Sequence, residues 1–443
     1  MNFRDFLPGR PGGVRVPHHK STANCETVTM PVPVRITLPM VQHLGAPCNP
    51  MVKVGDTVSV GQVVADSDAA ICAPIHSGVS GTVTAVSDAK MPDGRVFPAV
   101  TIDSDGEQRI FEGIAPPVIN NYTDFLAAVR ASGLVGLGGA GFPAHIKLNP
   151  PNRSEIDTIV INAAECEPYI TTDYRECREN SWDILSGVQT LMEFLDAQRV
   201  IIAIERNKPA AISTLSRIAR DISTPERRVM VKALPSRYPQ GAEKVLIYAC
   251  TGRRVPPGKL PGDVGCLVMN VTSTAFLSRY LKTGIPLISR RITVDGGAIQ
   301  NPQNLRVIIG TPIKDVLDAC GVERKKIHAL IMGGPMMGTA LMDDSAMVLK
   351  QNNAVLALTA KESPHAAENA CMRCGKCISA CPMRLAPPVI SGALGRHDID
   401  ALEKLAVMSC MECGCCAWSC PSGRFLTQTM RMAKDAVREK ERR

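Results

Sequence analysis

Eight of the seventeen cysteines in this 443-residue chain fall in two copies of one short pattern, which restricts the possible folds more than any other feature. The first copy is Cys371, Cys374, Cys377 and Cys381 followed by Pro382; the second is Cys410, Cys413, Cys416 and Cys420 followed by Pro421. Each reads C-x2-C-x2-C-x3-C-P. Three thiolates on a tight loop reach three irons of one [4Fe–4S] cube, and the fourth, at the start of the next helix, ligates the other cluster. The expected pairing is therefore crossed: Cys371, Cys374 and Cys377 with Cys420, and Cys410, Cys413 and Cys416 with Cys381. CxxC pairs also bind tetrahedral zinc, but zinc does not require a duplicated four-cysteine run ending in Cys-Pro. Cys415 breaks the even spacing and reads as a small packed thiol.

The repeated spacing resembles that of bacterial ferredoxins, and two clusters in one small domain make a wire that needs an electron donor and an acceptor. The rest of the composition permits ordinary cores: 45% of residues are hydrophobic and 21% charged, so disorder and coiled-coil rods are excluded and several domains are expected. Only 4% are aromatic, which argues against a base-stacking surface. The net charge of +8 is modest and partly concentrated in residues 421–443, so no nucleic-acid partner is expected. No run approaches the ~18 apolar residues of a membrane span. The start, MNFRDFLPGRPGG, has no signal-peptide core, which places the chain in the cytoplasm, where thiols stay reduced. Cys25, Cys48, Cys72, Cys166, Cys177, Cys250, Cys266 and Cys320 are scattered outside the two runs.

Four domains follow from a pass along the chain. Residues 1–115 comprise an N-terminal segment and a small β domain, with alternating runs at Val52–Val54 and Thr82–Val86. VKVGDTVSVGQVVA and APIHSGVSGTVTAV look like the two halves of a lipoyl-like barrel-sandwich hybrid. The hairpin between them reads Asp66-Ser67-Asp68 where a carrier domain has its lysine, so a docking role is expected; His43 and His76 read as packing or turn residues. Residues 116–285 alternate helix and strand, an α/β layer: a helix over Tyr122–Ser132 capped by Thr123 or Asp124, strands Thr158–Asn162 and Arg199–Ile204, and a helix near Trp182–Ala197. Residues 286–350 suggest a β-grasp module, a hairpin about Asp295-Gly296-Gly297 followed by a helix with Thr311 as N-cap, Pro312 first and Gly321 after its end. Residues 351–443 are the helical two-cluster domain, with a helical stretch at Asp398–Val407. Its tail sets Phe425, Leu426, Thr429, Met430, Ala433 and Val437 on one face, which docks either on a partner or anionic membrane, or on its own domain. The fold class is thus multidomain α/β and α+β.

Two further motifs carry chemistry. Gly136-Leu-Gly-Gly-Ala-Gly141 satisfies G-x-G-x-x-G, but a helix rather than a strand precedes it and Pro143 follows, so the dinucleotide-binding fingerprint is rejected. What remains is a glycine loop whose backbone N–H groups can approach a phosphate or a flat ring closely, with Lys147 as an added cation. The second motif, Ala163-Ala-Glu165-Cys166-Glu167-Pro168, follows a strand, where α/β sheets bind ligands.

GLGGAGFP with its following lysine, and NAAECEP after a strand, resemble the flavin and NADH motifs of the NADH-binding flavoprotein subunit of respiratory complex I. They are still more similar to the C subunit of Rnf electron-transport complexes, whose order of RPGGVRVPHHK, QHLGAP, barrel-sandwich, flavin domain, β-grasp module and two ferredoxin motifs runs through the whole chain. The resemblance implies that Gly136, Gly138, Lys147, Asn162, Glu165 and Cys166 cradle FMN, and that Gly139, Gly141, Phe142 and Glu167 face NAD(H). It adds a flavin-site turn at Tyr238, Gly241 and Glu243, and ribityl or phosphate contacts at Asn270 and Ser273.

Flavin suits such a chain because NADH carries two electrons as hydride and a cubane accepts one. No protein general base is required, so no catalytic residue is assigned, and Glu167 reads as a hydrogen-bonding or positioning group. The resemblance further implies a peripheral place on the cytoplasmic face of the membrane. The implied partners are membrane-embedded and iron–sulfur Rnf subunits, with ferredoxin reached indirectly and electron flow coupled to ion translocation. Two rival readings are a soluble cobalamin reductase, whose barrel-sandwich follows its ferredoxin domain, and a flavin-free cluster relay or scaffold.

Overall fold

The computed structural model describes residues 12–92, 94–364 and 367–442. The first eleven residues, on which the reading of the N-terminus as lacking a signal peptide rests, lie outside them, as do Arg10 and Pro11 of RPGGVRVPHHK.

The β-rich N-terminal part contains β1 (Thr27–Thr29), β2 (Arg35–Pro39), β3 (Asn49–Pro50), β4 (Thr57–Val58), β5 (Val63–Asp66), β6 (Ile75–His76), β7 (Gly81–Lys90) and β8 (Val96–Ser104). β2-β8-β7-β4 form one sheet and β3-β5-β6 another, the expected barrel-sandwich. Thr82–Val86 lies in β7 as its alternation predicts, whereas Val52–Val54 is loop. The tip after β5 docks on the next module: Arg130 of helix α1 (Tyr122–Ala131) grips Asp66 in a two-pronged ion pair of 2.8 and 3.0 Å. α1 is capped by Asn121, whose side chain accepts from Asp124 N, and not by Thr123 or Asp124. Asp124 turns back to accept from Asn120 N at 3.0 Å, which leaves Asn121 in the extended conformation a cap requires.

After the short helix α2 (Ala144–Lys147) comes the α/β layer. It runs β9 (Thr158–Ala163), α3 (Thr172–Glu179), α4 (Ser181–Leu195), β10 (Arg199–Glu205), α5 (Pro209–Ile222), β11 (Arg228–Leu234), α6 (Glu243–Thr251), β12 (Cys266–Asn270) and α7 (Val271–Thr283). The four strands are parallel in the order β11-β10-β9-β12. Their side chains alternate between two cores, as a sheet covered on both faces requires. Ile159, Ile161, Val200 and Ile202 pack on the face carrying α4 and α7, while Val160, Ile201 and Val268 pack against Leu246 and Ile247 of α6.

The third module is a mixed sheet in the order β1-β14-β13-β17-β15-β16, built from β13 (Ser289–Asp295), β14 (Gln303–Ile308), β15 (Ala329–Met332), β16 (Thr339–Leu341) and β17 (Ala354–Leu358), with α8 (Ile313–Ala319) on one side. The sheet draws on chain outside 286–350: β1 comes from the N-terminal segment, and the buried β17 lies beyond residue 350. α8 starts at Ile313 with Pro312 as its cap, so Thr311 is not the N-cap; its hydroxyl donates to Ile308 O instead. Glu176 and Glu179 of α3 reach Arg291 of β13, and Arg279 adds a 2.6 Å pair to Glu176, a buried ionic seam between the second and third modules.

The C-terminal module is helical: α9 (Lys376–Ala380), α10 (Pro387–Gly395), α11 (Ile399–Lys404), α12 (Cys415–Trp418) and α13 (Leu426–Arg442). Asp398 caps α11, and Val407 belongs to a separate short turn. Leu426, Met430, Ala433 and Val437 of α13 are buried against Leu385, Ile390, Leu402 and Val407, so the tail helix covers its own module. Phe425 stays exposed, off that face. Among the described residues no helix is long and apolar enough to cross a membrane.

Candidate functional site

The parallel sheet ends in a rim at its carboxyl edge, and the sequence-predicted residues gather along it. Asn162, next to last in β9, pairs in register with Asn270, the last residue of β12. Asn270 caps α7, accepting from Thr272 N at 2.9 Å and Ser273 N at 3.2 Å, and donates from Nδ2 to Asp173 at 2.9 Å. Ser273 then accepts from Leu137 N at 3.0 Å, which seats the glycine loop on the α7 N-terminus. The loop is held closed by Gly136 N donating to Phe142 O at 2.8 Å and Gly141 N to Gly136 O at 3.1 Å. Its tip, Gly138 to Ala140, is exposed. Gly139 has φ of 117° with nothing within 4 Å of where a Cβ would stand, so a flat or anionic group can approach the backbone there. No strand precedes the loop, only an isolated bridge between Val135 and Pro143, in keeping with the rejected dinucleotide fingerprint.

The turn Glu165-Cys166-Glu167 leaves β9 next to a second turn, Tyr238–Glu243. Asn162 Nδ2 donates to Gly241 O at 2.9 Å, and Gly241 N donates to Cys166 Sγ at 3.4 Å. A Cβ on Gly241 would stand 2.4 Å from Ala164 O, so only glycine fits. Glu243 holds Lys147 at 2.6 Å, joining this turn to the segment after the glycine loop.

Three buried or half-buried charged groups that the sequence reading did not single out complete the turn. Lys20 donates to the carbonyls of Glu165 (3.0 Å), Glu167 (2.7 Å) and Ile170. Lys208, paired with Glu205 at 2.8 Å, also approaches Glu165 O. The available signals were the position of Lys208 just after β10, at the same sheet edge, and of Lys20 at the end of RPGGVRVPHHK.

Burial drives the electrostatics. Desolvation pushes the Glu165 carboxyl up to about 7 against the opposing charges of Lys20 and Lys208. Its Oε1 accepts from Asp173 N at 2.7 Å, while Oε2 is buried without a partner. Glu167 is also pushed to about 7, by burial that outweighs the backbone N–H groups facing it. Its Oε2 accepts from Met336 N at 3.0 Å and lies where a Cβ on Gly334 would be, so Glu167 packs into the turn between β15 and β16. Gln240 Nε2 is likewise buried without a hydrogen-bond partner, and the buried Tyr238 hydroxyl faces the Glu167 carboxyl. Burial raises the Cys166 thiol to about 12, which keeps it protonated and unreactive.

The cysteine runs repeat each other's backbone 39 residues apart: Arg373 and Glu412, then Gly375 and Gly414, then Arg384 and Gly423 all have positive φ. Cys381, Cys410, Cys413 and Cys416 line one cavity, which Cys415 also borders. Cys420 neighbours Cys377, as does Cys371. Backbone N–H groups of Leu385 and Glu412 point at Cys381 Sγ and Cys410 Sγ (3.3 and 3.4 Å), a pattern that stabilises negative charge on cluster sulfur. Cys371 and Cys374 are exposed, whereas Cys413 and Cys415 are buried with Tyr238 and Val16, against Cys166 and Met336. Met336 links the two regions: its N–H serves Glu167, and its carbonyl lies 2.9 Å from where a Cβ on Gly414 would be. The segment Gly12–Val14 joins the same place, bonded to Ala380 O and to Tyr238.

Comparison with known families divides the chain in the same sequence of modules. Residues 9–107 match the RnfC barrel sandwich hybrid domain, 129–279 the Nuo51 FMN-binding domain, 291–340 the SLBB domain and 364–421 the 4Fe-4S dicluster domain. The C subunit of the proton-translocating ferredoxin:NAD(+) oxidoreductase complex of Clostridium ljungdahlii is 41% identical over 88% of this chain and 84% of its own length. The Na(+)-translocating counterpart of Acetobacterium woodii is 39% identical over 96% of both chains. The C subunit of the ion-translocating oxidoreductase complex of Rhodobacter capsulatus is 38% identical over 98% of this chain and 84% of its own. Among solved structures, an H2-reduced NAD+-reducing [NiFe]-hydrogenase aligns with a TM-score of 0.50 at 18% identity, covering 72% of this chain and 63% of that one, a likeness of fold alone. The chain belongs to the RnfC family, the C subunits of ion-translocating ferredoxin:NAD(+) oxidoreductase (Rnf) complexes.

Proposed function

We propose that this chain is the peripheral, NAD(H)-reactive electron-transfer subunit of an Rnf complex. It exchanges electrons between NAD(H), FMN and two [4Fe–4S] clusters on the cytoplasmic face of the membrane. Its partners are the membrane-embedded and iron–sulfur subunits of the complex, through which ferredoxin oxidation or reduction is coupled to ion translocation.

FMN, when bound, exchanges hydride with NAD(H) and passes electrons singly to iron–sulfur centres. The residues fit that group: an exposed glycine tip at a capped helix N-terminus suits a phosphate, and unpartnered buried polar atoms at Glu165 and Gln240 await a ligand's donors and acceptors. In this reading Gly136, Gly138, Asn162, Glu165, Cys166, Tyr238, Gly241, Asn270 and Ser273 shape the flavin cradle, and the Lys147–Glu243 pair sits at its edge. Gly139, Gly141, Phe142 and Glu167 face the nicotinamide nucleotide. Lys20 fixes the carbonyls of the acidic turn, holding Glu165 and Glu167 in place.

The thiol chemistry fits two cubanes, with Cys410, Cys413, Cys416 and Cys381 as one ligand set and Cys371, Cys374, Cys377 and Cys420 as the other. The observation that carries the reading is the contact through Met336, which sets the first of these against the acidic turn. The second, with exposed Cys371 and Cys374, then faces outward toward a partner.

Anaerobic titration of the FMN-reconstituted, cluster-loaded chain with NADH tests this, following flavin bleaching and iron–sulfur EPR signals together. Reduction of both is expected. A protein that holds FMN and iron yet responds with neither is a relay or scaffold, and the nicotinamide site belongs elsewhere.

A further inference from the structure

Outside both cysteine runs and the acidic rim, a third cluster of soft ligands lies in the barrel-sandwich. His43 follows β2, Cys48 precedes β3, and Cys72 lies between β5 and β6. All three are buried, with 6%, 3% and 0% of their surface exposed. Cys48 Sγ and Cys72 Sγ are 3.4 Å apart, and a ring nitrogen of His43 lies within 4.8 Å of both.

The Cys48 thiol donates to Ala73 O at 3.4 Å, a proton that a metal would displace. His43 Nε2 sits 3.0 Å from Ala46 O, so that nitrogen carries the proton, and Nδ1 is left buried with a lone pair and no partner. A carbonyl that fixes the tautomer of a ligating histidine is the usual outer contact of a metal site. Asp66 Oδ1 stands 4.0 Å from Cys72 Sγ, held by Arg130 and by Ser67 N at 2.8 Å each, and joins the cluster to Arg130 of α1. Two sulfurs bound tetrahedrally at ~2.3 Å stand roughly 3.7 Å apart, close to the separation present.

We propose that His43, Cys48 and Cys72 form a structural zinc site, with a water in the fourth position. Two thiols and a neutral imidazole are a donor set suited to zinc, and binding would release the two thiol protons, leaving a site with little net charge. Asp66 is gripped by Arg130, and Lys350 reaches across to Pro74 O (2.6 Å) and Gly133 O (2.8 Å). The ion would therefore tie together the barrel-sandwich loops that meet the flavin-binding module and Lys350.

The test uses the full chain with its clusters loaded, so that iron content reports whether the other thiol sites are filled. The protein is equilibrated with zinc, dialysed, and analysed for both metals by mass spectrometry. About one zinc per chain is expected in the unaltered protein, with loss in Cys48→Ser, Cys72→Ser and His43→Ala at unchanged iron. X-ray absorption at the zinc edge of the unaltered protein, which needs no variant, should show two sulfurs at ~2.3 Å and lighter ligands at ~2.0 Å. Equal zinc in all four proteins, no zinc in any, or a Cys48–Cys72 disulfide in the freshly isolated chain would overturn the proposal.

Discussion

Replacing Gly241 by alanine should empty the flavin cradle while leaving both cysteine sets assembled. The new methyl would stand 2.4 Å from Ala164 O, roughly 1 Å inside ordinary contact, and its neighbour is backbone, so the acidic turn must move. Overpacking of this kind costs about 1–3 kcal/mol. The Asn162–Gly241 and Cys166–Gly241 contacts are strained at the same time, each worth about 1 kcal/mol or less. FMN binds the undisplaced turn, so the combined cost of roughly 1–5 kcal/mol falls on binding and, at tenfold per 1.4 kcal/mol, predicts a weakening of about 5- to 4,000-fold. The assay is fluorescence-quenching titration of the flavin-stripped, cluster-loaded protein, with iron content and EPR as controls. Gly395→Ala, where a Cβ meets nothing within 4 Å, should bind FMN like the unaltered chain. Unchanged affinity in Gly241→Ala would show that the acidic turn and its neighbour do not form the cradle.

Cys381→Ala should remove the cluster built by Cys410, Cys413 and Cys416, seen as loss of about four irons and one EPR signal; loss of the other signal would refute the crossed assignment. Glu167→Gln carries a pH signature. The folded carboxyl at about 7 lies above its ordinary unfolded value of about 4.3, so its contribution is fully present below the unfolded value and is lost as pH rises through about 7. The glutamine variant should resist denaturant better than the unaltered chain at pH 8 by about 1–3 kcal/mol, and the gap should close toward pH 5; a gap independent of pH would refute the reasoning. Arg291→Met leaves the buried Glu176 with Arg279 as its nearer remaining cation and should cost roughly 3 kcal/mol or more, read as earlier unfolding and faster proteolysis between the second and third modules. An unchanged melting profile would show that the seam contributes nothing.

Local pattern carried much of the architecture. The apolar runs at Thr158–Asn162 and Arg199–Ile204 are buried parallel strands, and the periodic segment from Tyr122 is a helix. What local pattern missed lies in long-range partners. Thr123, Asp124 and Thr311 all have capping chemistry, yet Asn121 and Pro312 occupy the cap positions, because backbone conformation one or two residues away decides the cap. The amphipathic face of α13 was legible, but a periodic face does not say what covers it; here Leu385, Ile390 and Leu402 do. Lys20 lies 145 residues from Glu165, and Met336 lies 169 residues from Glu167, so no window along the chain contains either contact. The glycine loop and acidic turn were legible as motifs, while the cations that set their electrostatics were not.

The reach of the N-terminal segment bears on how the fold is made. Residues 12–29 leave the ribosome well before the modules they touch: Gly12 lies against Cys381, Val14 pairs with Tyr238, and β1 waits for β14. Gly12 and Gly13 cannot meet Ala380 and Cys381 until the first cysteine run has emerged, whereas Lys20 and β1 meet their partners once Glu165 and β14 are made. Thr22 and Lys20, once seated, record that the flavin-binding and SLBB modules have come together correctly. The segment's partners thus become available in chain order, the acidic turn first, then β14, then the first cysteine run.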